Sequence, residues 1–225
     1  MDGLCITITH TLSPRLAPHL PVRVQNLMKI SPRGYWENST AEGHGVDHKL
    51  AEGIKDYLEK ETKISPYPVF NLLDLGCGTG FYSDYIKNNS KVCLVAHCYD
   101  GNPNTPELTL GRCKVADLSV YQYLGYYDWV LSLEVGEHIP EKYEHIFINN
   151  ITRHARMGVI LSWAIPGQGG DGHVNCRTNE YIRSKITREG LKFDINSTQF
   201  LRDTASPYPE TGYWFKDTIM VFRRM

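Results

Sequence analysis

Between residues 74 and 80 the chain reads Asp74-Leu75-Gly76-Cys77-Gly78-Thr79-Gly80, directly after the apolar run Val69-Phe70-Asn71-Leu72-Leu73. A short apolar run of this kind, punctuated upstream by Pro66 and Pro68, reads as a parallel strand buried on both faces and ending near Leu75. Glycines at alternate positions after such a strand tolerate positive φ and let a ligand approach the backbone, and the helix that follows offers unpaired N–H groups to an anion. The spacing narrows the ligand. A dinucleotide fingerprint, G-x-G-x-x-G, needs a glycine at position 81, which is Phe81, so NAD and FAD are disfavoured. No Lys-Ser or Lys-Thr follows the glycines, which excludes a P-loop. Asp100, 20 residues beyond Gly80, stands at the end of the next predicted strand, where a carboxylate accepts both hydroxyls of a ribose. A nucleoside without phosphates is implied.

The rest of the chain repeats the alternation. Leu50, Ile54, Tyr57 and Leu58 have helical spacing, with Asp47 at the positive end, predicting a helix over about 46–60. Phe81, Tyr82, Tyr85 and Ile86 predict a second helix, and residues 92–96 a second buried strand ending near Tyr99. Further strands are expected to end near Ala116, Glu134 and Ile165. Helices are expected around Tyr143, Phe147 and Ile151 and from about Asn179 to Glu189, the latter closed by Gly190 in the left-handed conformation. Two extended segments, 193–201 and 216–223, complete the pattern. Alternating strands and helices with nearly uninterrupted apolar strands predict an α/β fold, a doubly wound sheet with helices on both faces and ligands beyond the carboxyl ends of its strands.

The length, 225 residues, suits one domain. Pro14, Pro18 and Pro21 break up the start of the chain, so residues 1–30 read as a loosely ordered extension, 31–225 as a single domain and 31–66 within it as a helical lid segment. With 24 Lys+Arg against 25 Asp+Glu the chain lacks the basic excess that nucleic-acid or anionic-membrane binding requires. No apolar run approaches the ~20 residues of a membrane span. The six cysteines form no CxxC pair, which predicts free thiols in a reducing, cytoplasmic setting.

Four motifs in order, DLGCGTG at 74–80, YDGNP at 99–103, VADLS at 115–119 and LSLEVGEHIP at 131–140, resemble those of the class I S-adenosylmethionine-dependent methyltransferases. The resemblance covers about Val69 to Arg223 and is specific for the superfamily, not for a substrate. It implies a seven-stranded Rossmann-like sheet whose last strand is antiparallel. It also implies that S-adenosylmethionine (SAM) is the cofactor. Gly76, Cys77, Gly78 and Gly80 would pass under its methionine portion, with Asp74 near the amino group. Asp100, with Gly101 and Asn102 beside it, would hold the ribose. Asp117 and Leu118 would flank the adenine, and Glu134 and Val135 would line the floor beside the sulfonium.

The sulfonium methyl is already activated, so the protein has to align a nucleophile and exclude water, and a histidine is the natural base for a hydroxyl or a protonated amine. His138, four residues past Glu134 and expected to open the fourth helix, and His173, in the Gly-rich segment 166–177, are the candidates. His173, Asn175 and Arg177 alternate along that segment, which follows Trp163 and reads as a substrate-recognition loop; Trp36 and His44, upstream of the first motif, read as parts of a lid over the acceptor. The expected activity is methyl transfer to an oxygen or nitrogen of a small molecule, with no metal. Three alternatives stay open. Glu134, Glu137 and His138 resemble the metal-binding E-x-x-E-H loop of ubiquinone-pathway and small-RNA 2′-O-methyltransferases. The chain could instead be a non-catalytic SAM-binding partner protein, or an RNA methyltransferase with a basic surface band.

Overall fold

The computed structural model describes residues 29–40, 44–207 and 214–225. Its elements are β1 (Lys29–Ile30), β2 (Trp36–Glu37), α1 (His48–Ile64), β3 (Phe70–Leu75), α2 (Phe81–Asn89), β4 (Cys93–Asp100), α3 (Thr105–Leu108), β5 (Lys114–Val115), β6 (Tyr127–Ser132), α4 (Glu144–Arg153), β7 (Ala155–Leu161), α5 (Asn179–Arg188), β8 (Leu191–Phe193), α6 (Ile195–Thr204), α7 (Phe215–Thr218) and β9 (Met220–Arg224). Strands β1 and β2 form a small antiparallel hairpin, and the other seven form one sheet in the order β5-β4-β3-β6-β7-β9-β8. Strand β9 runs antiparallel to both of its neighbours, and the remaining ladders are parallel. From β3 the chain winds outward through β4 and β5, then returns to place β6 on the other side of β3. The point where the order reverses opens a crevice beyond the carboxyl ends of β3 and β6.

The strands are apolar throughout because both faces are covered. Leu73, Leu75, Val130, Val159 and Leu161 pack beneath α4 and α5, against Phe147, Ile151, Ile182 and Ile186. Phe70, Leu72, Trp129, Leu131 and Ile160 face the opposite layer, where Leu50, Ile54 and Leu58 of α1, Ile86 of α2 and Leu201 of α6 close the second core. Asp47 caps α1 by accepting from Leu50 N at 3.0 Å, and its other oxygen accepts from Ser206 N at 2.7 Å. Gly190 adopts φ +82° after α5, the left-handed stop expected of it.

Several expectations are corrected. Strand β4 is not buried throughout: β5 pairs only with Tyr99 and Asp100, which leaves Leu94 at 55% exposure. Strand β7 ends at Leu161 rather than near Ile165, since Ser162 N turns to Ser132 O and Ala164 O accepts from Arg177 N. Residues 193–201 are mostly helix α6, capped by Asp194 through Ser197 N, and the first part of 216–223 is α7, so only Met220–Arg224 is strand. Lys29 and Ile30 belong to the hairpin and not to an extension; residues 1–28 lie outside the described residues. The lid segment divides in two. The hairpin and residues 38–40 border the cleft, whereas α1 is a core helix. Finally, Cys98 and Cys113, both buried, form a disulfide between β4 and the start of β5, against the expectation of free thiols.

Candidate functional site

The crevice is a cavity of about 510 Å³, within the range of small-molecule sites. Its base is the turn from β3 into α2. Gly76, Gly78 and Gly80 have φ of +78°, +54° and +75°, and a Cβ on any of them would strike a neighbour: Val135 at Gly76, His44 at Gly78 and the Cys113 sulfur at Gly80. The glycines are thus required twice, by backbone conformation and by close packing. Gly76 and Gly78 line the cavity with Cys77, whereas Gly80 supports the turn from behind. Asp74 is buried beneath it. Burial raises its carboxyl to about 7 against the opposing hydrogen bonds from Ser83, and Asp100 adds to the rise. The Cys77 thiol is pushed well up by burial and then by Asp74 and Asp100, so it stays protonated.

Asp100 projects from the end of β4 with both oxygens engaged, accepting from Gly78 N and from Asn102 N at 2.8 Å each. It therefore ties the glycine turn to the neighbouring strand and retains lone pairs toward the cavity. Gly101 lines the cavity under Tyr35, which approaches so closely that a Cβ at 101 would lie 2.4 Å from the tyrosine Cβ. Asn102 is buried and reaches Ser39 Oγ at 2.6 Å, a supporting position rather than a lining one. Asp117 and Leu118 form the far wall, where Arg33 from the β1–β2 turn donates to Asp117 Oδ2 at 2.9 Å. Arg33, Trp214 and Phe215 are lining residues that sequence reasoning missed. Their only signal is a lone cation and an aromatic pair, far in sequence from the motifs.

Glu134 leaves β6 with φ +54°, a conformation that costs of order 1–3 kcal/mol outside glycine. It is held there by Ser162 Oγ, which accepts from Glu134 N at 2.8 Å. The carboxylate accepts from Gln168 Nε2 at 2.6 Å and Thr218 Oγ1 at 3.3 Å, and burial raises its pKa despite these bonds. Val135 packs on the Gly76 turn, and both residues line the cavity. Behind it Glu137 is completely buried, and neither carboxylate oxygen meets a donor in hydrogen-bonding geometry. Burial first, then Glu134, lifts its carboxyl well above the ordinary range. His138 stands in the turn 135–139 rather than opening a helix; α4 begins six residues later, after a 3₁₀ turn. Burial, aided by His173, lowers His138 to about 4, so its imidazole is neutral near pH 7. Its ring lies 4.9 Å from that of His173, whose Nε2 is 3.9 Å from Glu137 Oε1. Ligand atoms of Glu137, His138 and His173 all lie within 4.8 Å of one another.

The Gly-rich loop 166–177 divides. Gln168 and His173 line the cavity. Asn175 is buried, its amide donating to Glu144 and its carbonyl accepting from Trp163 Nε1 at 2.7 Å. Arg177 pairs with Glu141 and Glu144, and Trp163 packs in the core against Phe147. These three, expected to meet substrate, anchor the loop to α4 and β7 instead. Strict alternation along 173–177 fails because Val174 N and Asn175 N both turn to Glu137 O. Trp36 does line the cavity, its ring 5.5 Å from His44 and 5.4 Å from His138.

No protein-family model and no curated protein sequence matches the chain. Solved structures do. The magnesium protoporphyrin IX methyltransferase ChlM of Synechocystis PCC 6803, with bound S-adenosylhomocysteine (SAH), aligns at TM-score 0.58 and 18% identity over 79% of this chain and 83% of that one. SAM-bound CalS10, an amino pentose methyltransferase from Micromonospora echinaspora involved in calicheamicin biosynthesis, aligns at 0.59 and 13% over 79% and 91%. The [4+2]-cyclase SpnF aligns at 0.51 and 16% over 87% of each chain. The fold is thus the Rossmann-like methyltransferase fold, and SpnF shows that this fold also carries other chemistry. Among the described residues no helix is long and apolar enough to cross a membrane.

Proposed function

We propose that the chain is a SAM-dependent methyltransferase of class I type acting on an oxygen or nitrogen of a small-molecule acceptor. The observation that carries this reading is the cradle itself. Three positive-φ glycines lie under a cavity that Asp74, Asp100, Asp117 and Glu134 reach from the ends of four strands, the positions that the motif resemblance would assign to the ammonium, ribose, adenine and sulfonium of SAM. Acidic walls suit a ligand with two positive centres. SAM-binding neighbours of the same fold support the reading.

SAM supplies an activated methyl: the acceptor's lone pair forms a bond to the methyl carbon as the carbon–sulfur bond breaks, and SAH leaves. The protein's share is alignment, exclusion of water by the hairpin and loop 166–177, and removal of the acceptor proton. His138, at about 4, holds a proton too weakly near neutral pH to be an effective base, and His173 is the other imidazole of that pair on the cavity wall, so we assign the role to it. Incubating the protein and SAM with a metabolite extract should yield SAH together with a product heavier by one methylene. SAH bound but never formed from SAM across a broad acceptor panel would favour a non-catalytic SAM-binding partner.

A second reading, metal-assisted O-methylation, is favoured by Glu137. A buried carboxyl without a donor, beside two imidazoles and near Glu134, is a donor set suited to a divalent ion that binds and acidifies an acceptor hydroxyl. Calorimetric titration with Mg²⁺, Mn²⁺ and Zn²⁺ decides between the readings. Binding that is lost in Glu137→Gln supports the metal, and no heat with any of the three ions rejects it.

A further inference from the structure

No lysine or arginine stands at the glycine end of the cradle among the described lining residues to meet the carboxylate of a SAM-like ligand. Four backbone amides of the turn are already engaged: Gly76 and Cys77 donate to Tyr99 O, Gly80 donates to Cys77 O, and Gly78 donates to Asp100, which leaves Thr79 and the first residues of α2 as backbone donors on the cavity wall. Among the described lining residues the one permanently charged cation is Arg33, which lies at the opposite end, bound to Asp117 and Ser119.

His44 lies directly against the cradle. Its Nδ1 would be 2.6 Å from a Cβ placed on Gly78, so the ring rests on the glycine's open face. Its other nitrogen, Nε2, meets Ser39 Oγ at 3.5 Å, and that hydroxyl already accepts from Asn102 Nδ2 at 2.6 Å. The serine proton is free to point to Nε2, an arrangement that puts the proton of the neutral imidazole on Nδ1, facing the cradle. Trp36 packs against the ring and limits its rotation.

Resting on the cofactor assignment above, we propose that His44 is a cofactor-binding residue whose Nδ1–H donates to the amino-acid carboxylate of SAM, rather than a contact for the methyl acceptor. Gly78 and the Asn102–Ser39 pair hold the ring in place, and the Nδ1–H tautomer is the one the role requires.

The test uses two ligands that differ only in the part His44 would touch. SAH carries the amino-acid group, and 5′-methylthioadenosine has the same adenosine and sulfur without it. In calorimetry, His44→Ala should lose about tenfold or more in affinity for SAH while binding methylthioadenosine within about twofold of wild type. The second measurement also shows that the variant is folded. His44→Asn, whose amide nitrogen occupies the position of Nδ1, should recover most of the SAH affinity. Equal losses for both ligands, or none for SAH, would overturn the assignment. Wild-type protein that binds neither ligand would instead overturn the cofactor reading, and this inference with it.

Discussion

Asp74 shows how much one residue's surroundings decide. It is fully buried beneath the glycine turn, so its carboxyl titrates at about 7 instead of in the usual carboxylate range. In the unfolded chain the same group ionises near its ordinary value, so the free protein loses stability as pH rises from that value toward 7. A ligand ammonium nearby reverses the preference and favours the carboxylate. Cofactor binding should then expel a proton at pH values below 7, and SAH affinity should rise about tenfold per pH unit up to that point and level off above it. Calorimetry across that range checks this. Affinity that is flat or improves in acid would contradict the placement of Asp74 beside the ammonium, and Asp74→Asn should abolish the slope.

Among the elements, the β4–β5 edge depends on covalent support. Strand β5 has two residues, and the disulfide between Cys98 and Cys113 closes the excursion that carries Asp100 at its start and leads into Asp117. Closing a loop of 15 residues removes freedom from the unfolded chain, so reduction should lower stability by about 2–4 kcal/mol. Thermal melts with and without dithiothreitol measure this, with the thiols counted by mass spectrometry. Equal melts with the disulfide demonstrably open would contradict it. The elements also show where sequence reading succeeds. Strand β3 and the helices α1, α2, α4 and α5 were legible because their apolar spacing coincides with what they bury. Helix α6 was not: only Thr198 and Leu201 of it are buried, so apolar spacing was too sparse to separate helix from strand, although Asp194 three residues before Ser197 was a readable cap. The glycine turn, Asp100, Asp117 and Glu134 were legible as motifs at strand ends. The roles of Asn175, Arg177 and Trp163 were not, since what decides them is Glu144 on a separate helix and a core position under Gly136.

For the whole molecule, the sheet order gathers residues from 33 to 215 around one crevice, which no local stretch of sequence encodes. The hairpin joins the far ends of that crevice: Arg33 reaches Asp117, Tyr35 covers Gly101, and Gly34 lies against the backbone of His138. A ligand that fills the crevice would therefore touch every motif at once and stabilise the fold by mass action, by about 2.7 kcal/mol at a hundredfold excess over its dissociation constant. The most direct measurement is calorimetric titration of SAH into the wild-type protein and into Asp100→Ala. The account predicts saturable one-to-one binding to the wild type, weakened by roughly 1.5–3 kcal/mol in the variant through loss of charged hydrogen bonds. No heat with the wild type, or equal affinity in both proteins, would contradict it.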